Sequence, residues 1–327
     1  MTDFTALSTF SNQLLILLIV ILIKAIISHF IFHEPLRFFQ FYCQKLSDKV
    51  NKSQNSPKQQ SIAGLVAIVI TLLPISIILW MFDILVEVNF LWQAILLYVA
   101  LGTFGITQAS NIITQALTTK QNYLAKQTLK PWMLRETESL SAVGLSKANI
   151  EMQLLRTLQQ GYTVAFIFML FGSLSAICFR LLLEMHYCWN SKLIKYHNFG
   201  FYSKRLVNLI QWLPVRVFSL ILLLTSIGKN ATLYWRLSHP YFFKLNNNIA
   251  LILLALNLAV KLGGVALYDD QQHPKEKLRK TSFNDLARQP QATDIIRAHK
   301  KIHGIIYISL FFMILLAAAI EFIAVNT

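Results

Sequence analysis

The residues of this sequence that are best placed to do chemistry are the arginines within and beside its apolar runs. Arg180 lies near the end of one apolar run, while Arg205 and Arg216 flank the beginning of the next, which Pro214 interrupts. A guanidinium group in lipid needs a carboxylate partner or an anionic ligand, because its lost hydration is otherwise uncompensated. These residues therefore predict either a partner for each arginine or a binding site for an anion.

A second group of polar residues precedes these runs in a long polar stretch. Arg135, Thr137 and Glu151 lie there. Together with the three arginines they could line a pocket for a phosphate or carboxylate group. The alternative is that each arginine reaches the headgroup layer or pairs with a structural carboxylate. The sequence leaves both interpretations open.

Motifs of soluble enzymes and of metal sites contribute little. The sequence has no P-loop, GxGxxG, HExxH or GxSxG pattern. His29 and His33, like His299 and His303, are one helical turn apart, a spacing that can aim two imidazoles at a metal. Histidines at a membrane boundary explain the same spacing. We therefore predict no metal site, and the three cysteines form no CxxC pair.

The composition is that of a membrane protein. Of the 327 residues, 55% are hydrophobic and 14% are charged, and the apolar residues form runs too long for a soluble domain. The net charge of +15 would suggest nucleic acid in a soluble protein, but here the cations lie between the runs, as in cytoplasmic loops. We predict no nucleic-acid partner. The first run lacks a signal-peptide pattern and is expected to be retained as a helix.

Six apolar runs predict an all-α, polytopic membrane protein with a single membrane domain over residues 1–327. The predicted transmembrane helices cover about residues 14–32, 62–86, 90–109, 164–183, 206–227 and 302–325. The polar segments 110–162 and 228–301 are predicted to be cytoplasmic and to form amphipathic helices.

Two segments fit this topology poorly. If residues 249–267 crossed the membrane, the basic segment that follows would lie outside, so we interpret them as interfacial or re-entrant. Residues 184–204 contain Lys192, Lys195 and Lys204, and alternation of the spans places these three cations on the outer side. That placement conflicts with the positive-inside rule.

Short motifs in a fixed order give the sequence a resemblance to a known family. They are Arg135-Glu-Thr137, Ala148-Asn-Ile-Glu151, Gly172, Phe179-Arg180, Phe199-Gly200, Arg205-Leu206 and Trp212-Leu-Pro214-Val-Arg216. In this order they resemble the adenosylcobinamide-phosphate synthase (CobD/CbiB) family of cobalamin biosynthesis. The resemblance implies a bacterial inner-membrane protein with a cytoplasm-facing pocket. It also implies a ligase that joins aminopropanol, or its phosphate, to a carboxylate of adenosylcobyric acid with ATP and Mg²⁺.

The sequence departs from this family at the family's acidic positions. Those positions carry Leu154 to Arg156 with Gln159, Leu183 to His186, and Val207 with Asn208. Mg²⁺ is usually held by carboxylate oxygens, and between Glu151 and Arg216 the sequence keeps only Glu151 and Glu184. These two would be the catalytic carboxylates if ligation survives. A branch with similar losses is the AmpE family, inner-membrane proteins associated with regulation of β-lactamase induction, which this sequence also resembles.

Three functions follow as hypotheses. The first is an AmpE-like membrane protein with lost or altered ligase activity, which binds a corrinoid or other anionic metabolite, or a membrane partner protein. Its expected ligand-binding residues are Arg135, Thr137, Arg180, Arg205 and Arg216. The second is an active synthase. The third is a transporter-like helical bundle in the lipid bilayer, suggested by interruptions at Pro74, Pro214 and Gly263-Gly264.

Overall fold

Helices make up most of the protein. The computed structural model describes residues 8–30, 35–102, 105–226, 231–270, 273–279 and 281–326. Its α-helices are α1 (Thr9–Phe30), α2 (Arg37–Val50), α3 (Pro57–Leu85), α4 (Asn89–Ala100), α5 (Gly105–Thr118), α6 (Asn122–Leu129), α7 (Ala142–Arg156), α8 (Thr163–Cys188), α9 (Phe201–Ile210), α10 (Trp212–Leu224), α11 (Ala231–Ser238), α12 (Asn248–Leu258) and α13 (Ala292–Asn326). The predicted all-α class is confirmed.

One small antiparallel hairpin adds to the helices. Its strands are β1 (Val265–Asp270) and β2 (His273–Arg279), which pair with Val265 opposite Arg279. The sequence did not predict this hairpin, which lies in the basic segment after α12.

By length and composition alone, five helical stretches are long and apolar enough to cross a membrane. Among the described residues they are Thr9–Ser28, Pro57–Leu85, Asn89–Thr118, Ala142–Cys188 and Ala292–Ala324. Helices α9 and α10 meet at an angle of 50° and add a sixth if the bent pair is one span. These ranges overlap the six predicted runs. Helix α12 has 11 residues, fewer than the roughly 20 that cross a bilayer, and the interfacial placement of 249–267 stays a prediction.

Helix α8 reverses its direction at Gly172. This residue has φ +80° and ψ −178°, a conformation that residues with a Cβ atom avoid. Gln159 and Tyr187 are 28 residues apart, which would be about 42 Å along a straight helix. The Tyr187 hydroxyl nevertheless donates a hydrogen bond to Gln159 Oε1 at 2.9 Å. Residues 164–183 therefore form a helical hairpin in this structure rather than the single crossing expected from the sequence.

The reversal returns residues 184–204 to the side of the bundle that holds residues 37–61. Asn51 Nδ2 donates to the Lys195 carbonyl at 2.8 Å, and Lys195 Nζ pairs with Asp48 at 2.9 Å. The hydrogen bond to Asp48 raises the pKa of Lys195. The three lysines of this segment thus lie with the basic loop predicted to be cytoplasmic, which removes the conflict with the positive-inside rule.

Two hydrophobic cores hold the helices together. One contains buried residues of α1, α3, α4 and α8, and the other contains buried residues of α5, α6, α7, α10 and α12. Helix α13 contributes to both, with Ile302 and Ile305 in the second core and Ala317 in the first. The second core includes Met152, Leu251 and Phe283, which also line the site described next.

Candidate functional site: a basic pocket

A pocket of about 480 Å³ lies between the end of α7, the end of α8, α9 and the segments around residues 246–251 and 281–283. Its volume is in the range of small-molecule sites, roughly 300–1,000 Å³. The cationic side chains that line it are Arg135, Arg156, Lys192 and Lys204, and the one lining carboxylate among the described residues is Glu151. We call it the basic pocket.

Glu151 ties two distant segments together at one end of the basic pocket. Its Oε1 accepts a hydrogen bond from the Gly263 amide at 2.9 Å, and its Oε2 lies 3.9 Å from Arg135 Nη2. Gly263 has φ +76°, and a Cβ atom there would lie 2.2 Å from the Thr281 carbonyl oxygen. Glycine is therefore required at this position. The Glu151 carboxylate holds the Gly263 backbone in place and partly balances the charge of Arg135.

Arg135 is buried without full hydrogen bonding. It is 8% exposed, and among the described residues its Nε and Nη2 atoms have no hydrogen-bond partner. The 3.9 Å separation from Glu151 is too long for a hydrogen bond. Thr137 lies outside the pocket lining, and its buried hydroxyl also lacks a partner among these residues. An unsatisfied buried donor costs about 1–3 kcal/mol, so Arg135 is suited to an anion.

Arg156 forms a flat wall of the basic pocket with an aromatic ring. Its guanidinium carbon lies 4.5 Å from the centre of the Tyr187 ring, and its Nη2 donates to the Trp132 carbonyl at 3.2 Å. Stacking of this kind fixes the plane of the guanidinium group while leaving its edge for a ligand. Arg156 was not among the site residues predicted from the sequence.

A chain of amide side chains continues this wall. Gln159 lies in the π-helical turn Thr157–Tyr162 between α7 and α8, and accepts the Tyr187 hydrogen bond. Gln159 Nε2 donates to Gln211 at 3.2 Å, and Gln211 Nε2 donates to Asn208 at 2.8 Å. Turns of π-helix are frequent at functional sites. The chain connects the α8 hairpin to α9, which carries Lys204.

Arg216 shapes the basic pocket without lining it. The side chain is 2% exposed, and its guanidinium group donates to the carbonyls of Tyr241, Phe242, Lys244 and Asn246, with distances of 2.7 Å to Phe242 and 3.2 Å to Asn246. Asn246 itself lines the pocket. Arg216 therefore holds the loop that forms one wall, and its donors are used within the protein.

The remaining predicted site residues lie outside the basic pocket. Arg180 Nη2 is 2.6 Å from Glu184 Oε1, and Gln40 Nε2 donates to Glu184 Oε2 at 2.8 Å, so these residues form a separate buried cluster. Arg205 is exposed on α9. Of the predicted residues, the structure thus brings only Arg135 and Glu151 into the pocket lining.

Three cationic pocket residues were not selected from the sequence. Arg156, Lys192 and Lys204 carry no local motif, and the expected topology placed the two lysines on the outer side. One signal in the sequence could have identified the two lysines as cytoplasmic. Their predicted position on the outer side conflicted with the positive-inside rule, which indicates that residues 164–183 do not cross the membrane once.

The paired histidines form no larger metal cluster in the part of the chain that the structure describes. The His299 and His303 rings are 4.1 Å apart between centres, but no group of three or more potential ligands occurs among those residues. His33 and the side chain of His29 lie outside the described residues. The absence of a metal site stays a prediction.

The fold and the pocket define a helical membrane protein with a basic site of ligand size. A family model described as CobD/Cbib protein matches residues 17–302, and the chain therefore belongs to the CobD/CbiB family.

Curated relatives carry the name Cobalamin biosynthesis protein CobD. The protein of Stutzerimonas stutzeri is 24% identical over 72% of this chain and 78% of its own length. The protein of Chromobacterium violaceum is 27% identical over 64% of this chain and 67% of its own, and that of Leptospira interrogans is 26% identical over 65% and 67%. No solved structure matches the chain.

Proposed function

We propose that this chain is a multi-pass protein of the bacterial inner membrane that binds an anionic metabolite in the basic pocket, with ligase activity lost or altered. The observation that carries the proposal is the charge of the lining: four cationic side chains face one carboxylate among the described residues. Family membership relates the metabolite to cobalamin biosynthesis, and a corrinoid is the first candidate.

The burial of Arg135 gives the proposal its physical basis. A buried charge without a close partner is costly, because the protein interior replaces its hydration poorly. Glu151 offsets part of this cost from 3.9 Å. A carboxylate or phosphate group that accepts hydrogen bonds from Arg135 would offset the rest, and charge-assisted hydrogen bonds of this kind are strong.

The pocket residues fit the phosphates of a nucleotide better than they fit Mg²⁺. The lining cations suit phosphate oxygens, whereas Mg²⁺ is usually held through one or two carboxylates. Glu151 is engaged by the Gly263 amide, and Glu184 lies in the separate cluster with Arg180. Among the described residues, no carboxylate pair faces the pocket. This arrangement favours the loss or change of ATP-driven ligation.

The second candidate function is that of a working adenosylcobinamide-phosphate synthase. It is favoured by the family match and by the names of the curated relatives. Under this hypothesis Glu151 and Glu184 would be the catalytic carboxylates, and ATP and Mg²⁺ would be needed.

Complementation separates the two functions. A bacterial strain that lacks its own synthase would receive this chain, and growth that depends on making cobinamide would be measured. We expect no growth, because Glu151 is engaged by the Gly263 amide and Glu184 pairs with Arg180 outside the pocket. Growth that is lost in the Glu151→Gln variant would establish the synthase and overturn the proposed loss of activity.

Direct binding tests the other half of the proposal. The full chain in lipid nanodiscs would be titrated with inorganic phosphate by calorimetry. We expect binding that weakens about tenfold in Arg135→Gln, since a hydrogen bond to a charged group contributes about 1.5–3 kcal/mol. If phosphate and carboxylate probes give no heat in the wild-type protein, the basic pocket is not an anion site.

A further inference from the structure

We propose that Cys43 and Cys188 form a dithiol site, which exchanges with a small-molecule disulfide and thereby gains a disulfide bond between α2 and the end of α8. The site lies outside the lining of the basic pocket, and it does not depend on the ligand of that pocket. Its basis is the contact between two thiols that belong to helices far apart in the sequence.

Two helix faces bring the thiols together. On α2, Gln40 and Cys43 are three residues apart, and on α8, Glu184 and Cys188 are four residues apart, so each pair shares one face of its helix. Gln40 Nε2 donates to Glu184 Oε2 at 2.8 Å, and the Cys188 thiol donates to the Gln40 carbonyl at 3.8 Å. The thiols of Cys43 and Cys188 also share a side-chain hydrogen bond. The two sulfur groups are therefore neighbours before any reaction.

Trp189 holds the two helices in this arrangement. Its Nε1 donates to the Cys43 carbonyl at 3.0 Å, and its ring packs edge-on against Phe199 with 4.9 Å between centres. Trp189 is fully buried. A disulfide requires Cβ atoms about 3.5–4.5 Å apart. Because the docked helices already keep the thiols in contact, we expect the bond to form without separation of α2 from α8.

The two thiols differ in their access to a reagent. Cys188 is partly exposed, whereas Cys43 is 0% exposed. The hydrogen bond with Cys188 and burial both raise the pKa of the Cys43 thiol, which therefore stays protonated at neutral pH. Since the thiolate is the nucleophile, Cys188 reacts with the reagent first, and Cys43 reacts second, within the protein.

The exchange consists of two substitutions at sulfur, with the small-molecule disulfide as the oxidant. The Cys188 thiolate attacks one sulfur of the reagent. A mixed disulfide forms, the sulfur–sulfur bond of the reagent breaks, and its other half leaves and takes up the proton that Cys188 lost. Cys43 then loses its proton and attacks the Cys188 sulfur, which releases the second half of the reagent as a thiol. Two protein thiols are oxidised to one disulfide, and the reagent is reduced to two thiols.

The disulfide would tie α2 to the segment that carries residues of the basic pocket. Tyr187 directly precedes Cys188, and its ring supports Arg156 at 4.5 Å. Residues 37–61 and 184–204 lie on the side predicted to be cytoplasmic, where thiols are kept reduced and disulfides are transient. The pair is thus a redox-sensitive link between α2 and a wall of the pocket.

The test uses the full chain in lipid nanodiscs, first reduced and then incubated with oxidised glutathione. Free thiols are counted after unfolding, and the cross-linked peptide is identified by mass spectrometry after digestion without reductant. We expect the count to fall from the three free cysteines of the reduced chain to one, with Cys43 joined to Cys188 and Cys178 still free. Dithiothreitol should restore all three thiols.

Single substitutions separate the two roles. In Cys43→Ala, the reaction should stop at one glutathione adduct on Cys188. In Cys188→Ala, thiol consumption should be slower by at least about tenfold, because Cys43 is buried and protonated. If thermal unfolding shows that Cys43→Ala does not fold, Cys43→Ser replaces it.

Cys178→Ala is the matched control. Cys178 lies on the same arm of the α8 hairpin as Cys188, and its sulfur is 3.2 Å from the Ser76 hydroxyl of α3. The disulfide between Cys43 and Cys188 should form in this variant at the wild-type rate.

Three results would overturn the proposal. The wild-type protein could keep all three thiols, or it could keep a glutathione adduct on Cys188 while Cys43 stays free, which would mean that the two sulfur atoms do not meet. A disulfide that involves Cys178 would contradict the assigned pair. None of these results bears on anion binding in the basic pocket, so the two proposals are tested separately.

Discussion

The hydrogen bond of 2.9 Å from the Tyr187 hydroxyl to Gln159 Oε1 joins the two arms of a helical hairpin. The hairpin turns at Gly172. Arg156, at the start of the first arm, and His186, at the end of the second arm, therefore line the same pocket. A straight helix would have separated these residues by the thickness of a membrane. The conformation of one glycine therefore decides whether the basic pocket exists.

The hairpin predicts the membrane side of residues 184–204. In a variant without native cysteines, Lys192→Cys should react with a membrane-impermeant thiol reagent from the same side as Lys58→Cys, because both positions lie on one side of the bundle. Labelling in intact cells and in inverted vesicles measures this. Reaction of the two cysteines from opposite sides would mean that α8 crosses the membrane once.

Gly172→Ala should destabilise the protein by about 1–3 kcal/mol, since a residue with a Cβ atom must then adopt φ +80°. The space is open, because a Cβ atom at Gly172 would meet no heavy atom within 4 Å. The cost is thus a backbone cost, and thermal unfolding in nanodiscs measures it.

Gly304→Ala is the matched control for this substitution. A Cβ atom at Gly304 also meets no heavy atom within 4 Å, but the residue lies inside helix α13. Alanine there should leave stability unchanged or raise it by up to about 1 kcal/mol. Equal destabilisation by both substitutions would argue against a special backbone requirement at Gly172.

Arg216→Ala should weaken anion binding indirectly. It removes hydrogen bonds to four carbonyls of the loop before α12. The Tyr241 and Lys244 carbonyls keep a backbone donor, and a buried carbonyl that loses its partner costs about 1–3 kcal/mol. We expect faster amide hydrogen exchange around Asn246 and a lower unfolding temperature, together with weaker ligand binding.

Arg205→Ala is the control for Arg216→Ala, because Arg205 is exposed outside the pocket. Stability should change by no more than about 0.5 kcal/mol, and anion affinity should stay the same. If Arg205→Ala loses most of its anion affinity while its stability stays normal, Arg205 is a ligand-binding residue, as the sequence predicted.

Glu151→Gln should tighten anion binding several-fold. Glutamine keeps an oxygen that accepts the Gly263 hydrogen bond, while it removes a negative charge near Arg135 that competes with the ligand. Calorimetry with inorganic phosphate measures the effect. Weaker binding in this variant would show that the Glu151 carboxylate itself contacts the ligand, for example through a cation.

The helices could be predicted from the sequence because each is determined by the residues of its own apolar run. A run such as residues 62–86 must be helical in lipid, since a helix satisfies all its backbone groups within the run. The five long apolar helices and the bent pair α9–α10 therefore overlap the six predicted runs. The hairpin at Gly172 escaped prediction, because a glycine within an apolar run is also common in helices that cross the membrane without a turn.

The candidate site was predicted only in part. Arg135 and Glu151 were selected as costly or family-related polar residues, and both line the pocket. Arg180 was selected for the same reason, but its side chain pairs with Glu184 one helical turn away. A sequence shows that a charge needs a partner, but several partners are within reach and only the packing selects one.

By itself, the sequence determined that this protein resides in a membrane, where its apolar helices lie, and to which family it is similar. The tertiary structure decided which cations share a pocket. Glu151 and Gly263 are 112 residues apart, and the arms that hold Gln159 and Tyr187 meet only because Gly172 adopts a positive φ. Contacts of this range depend on how helices pack against one another, and no local pattern of residues encodes that packing.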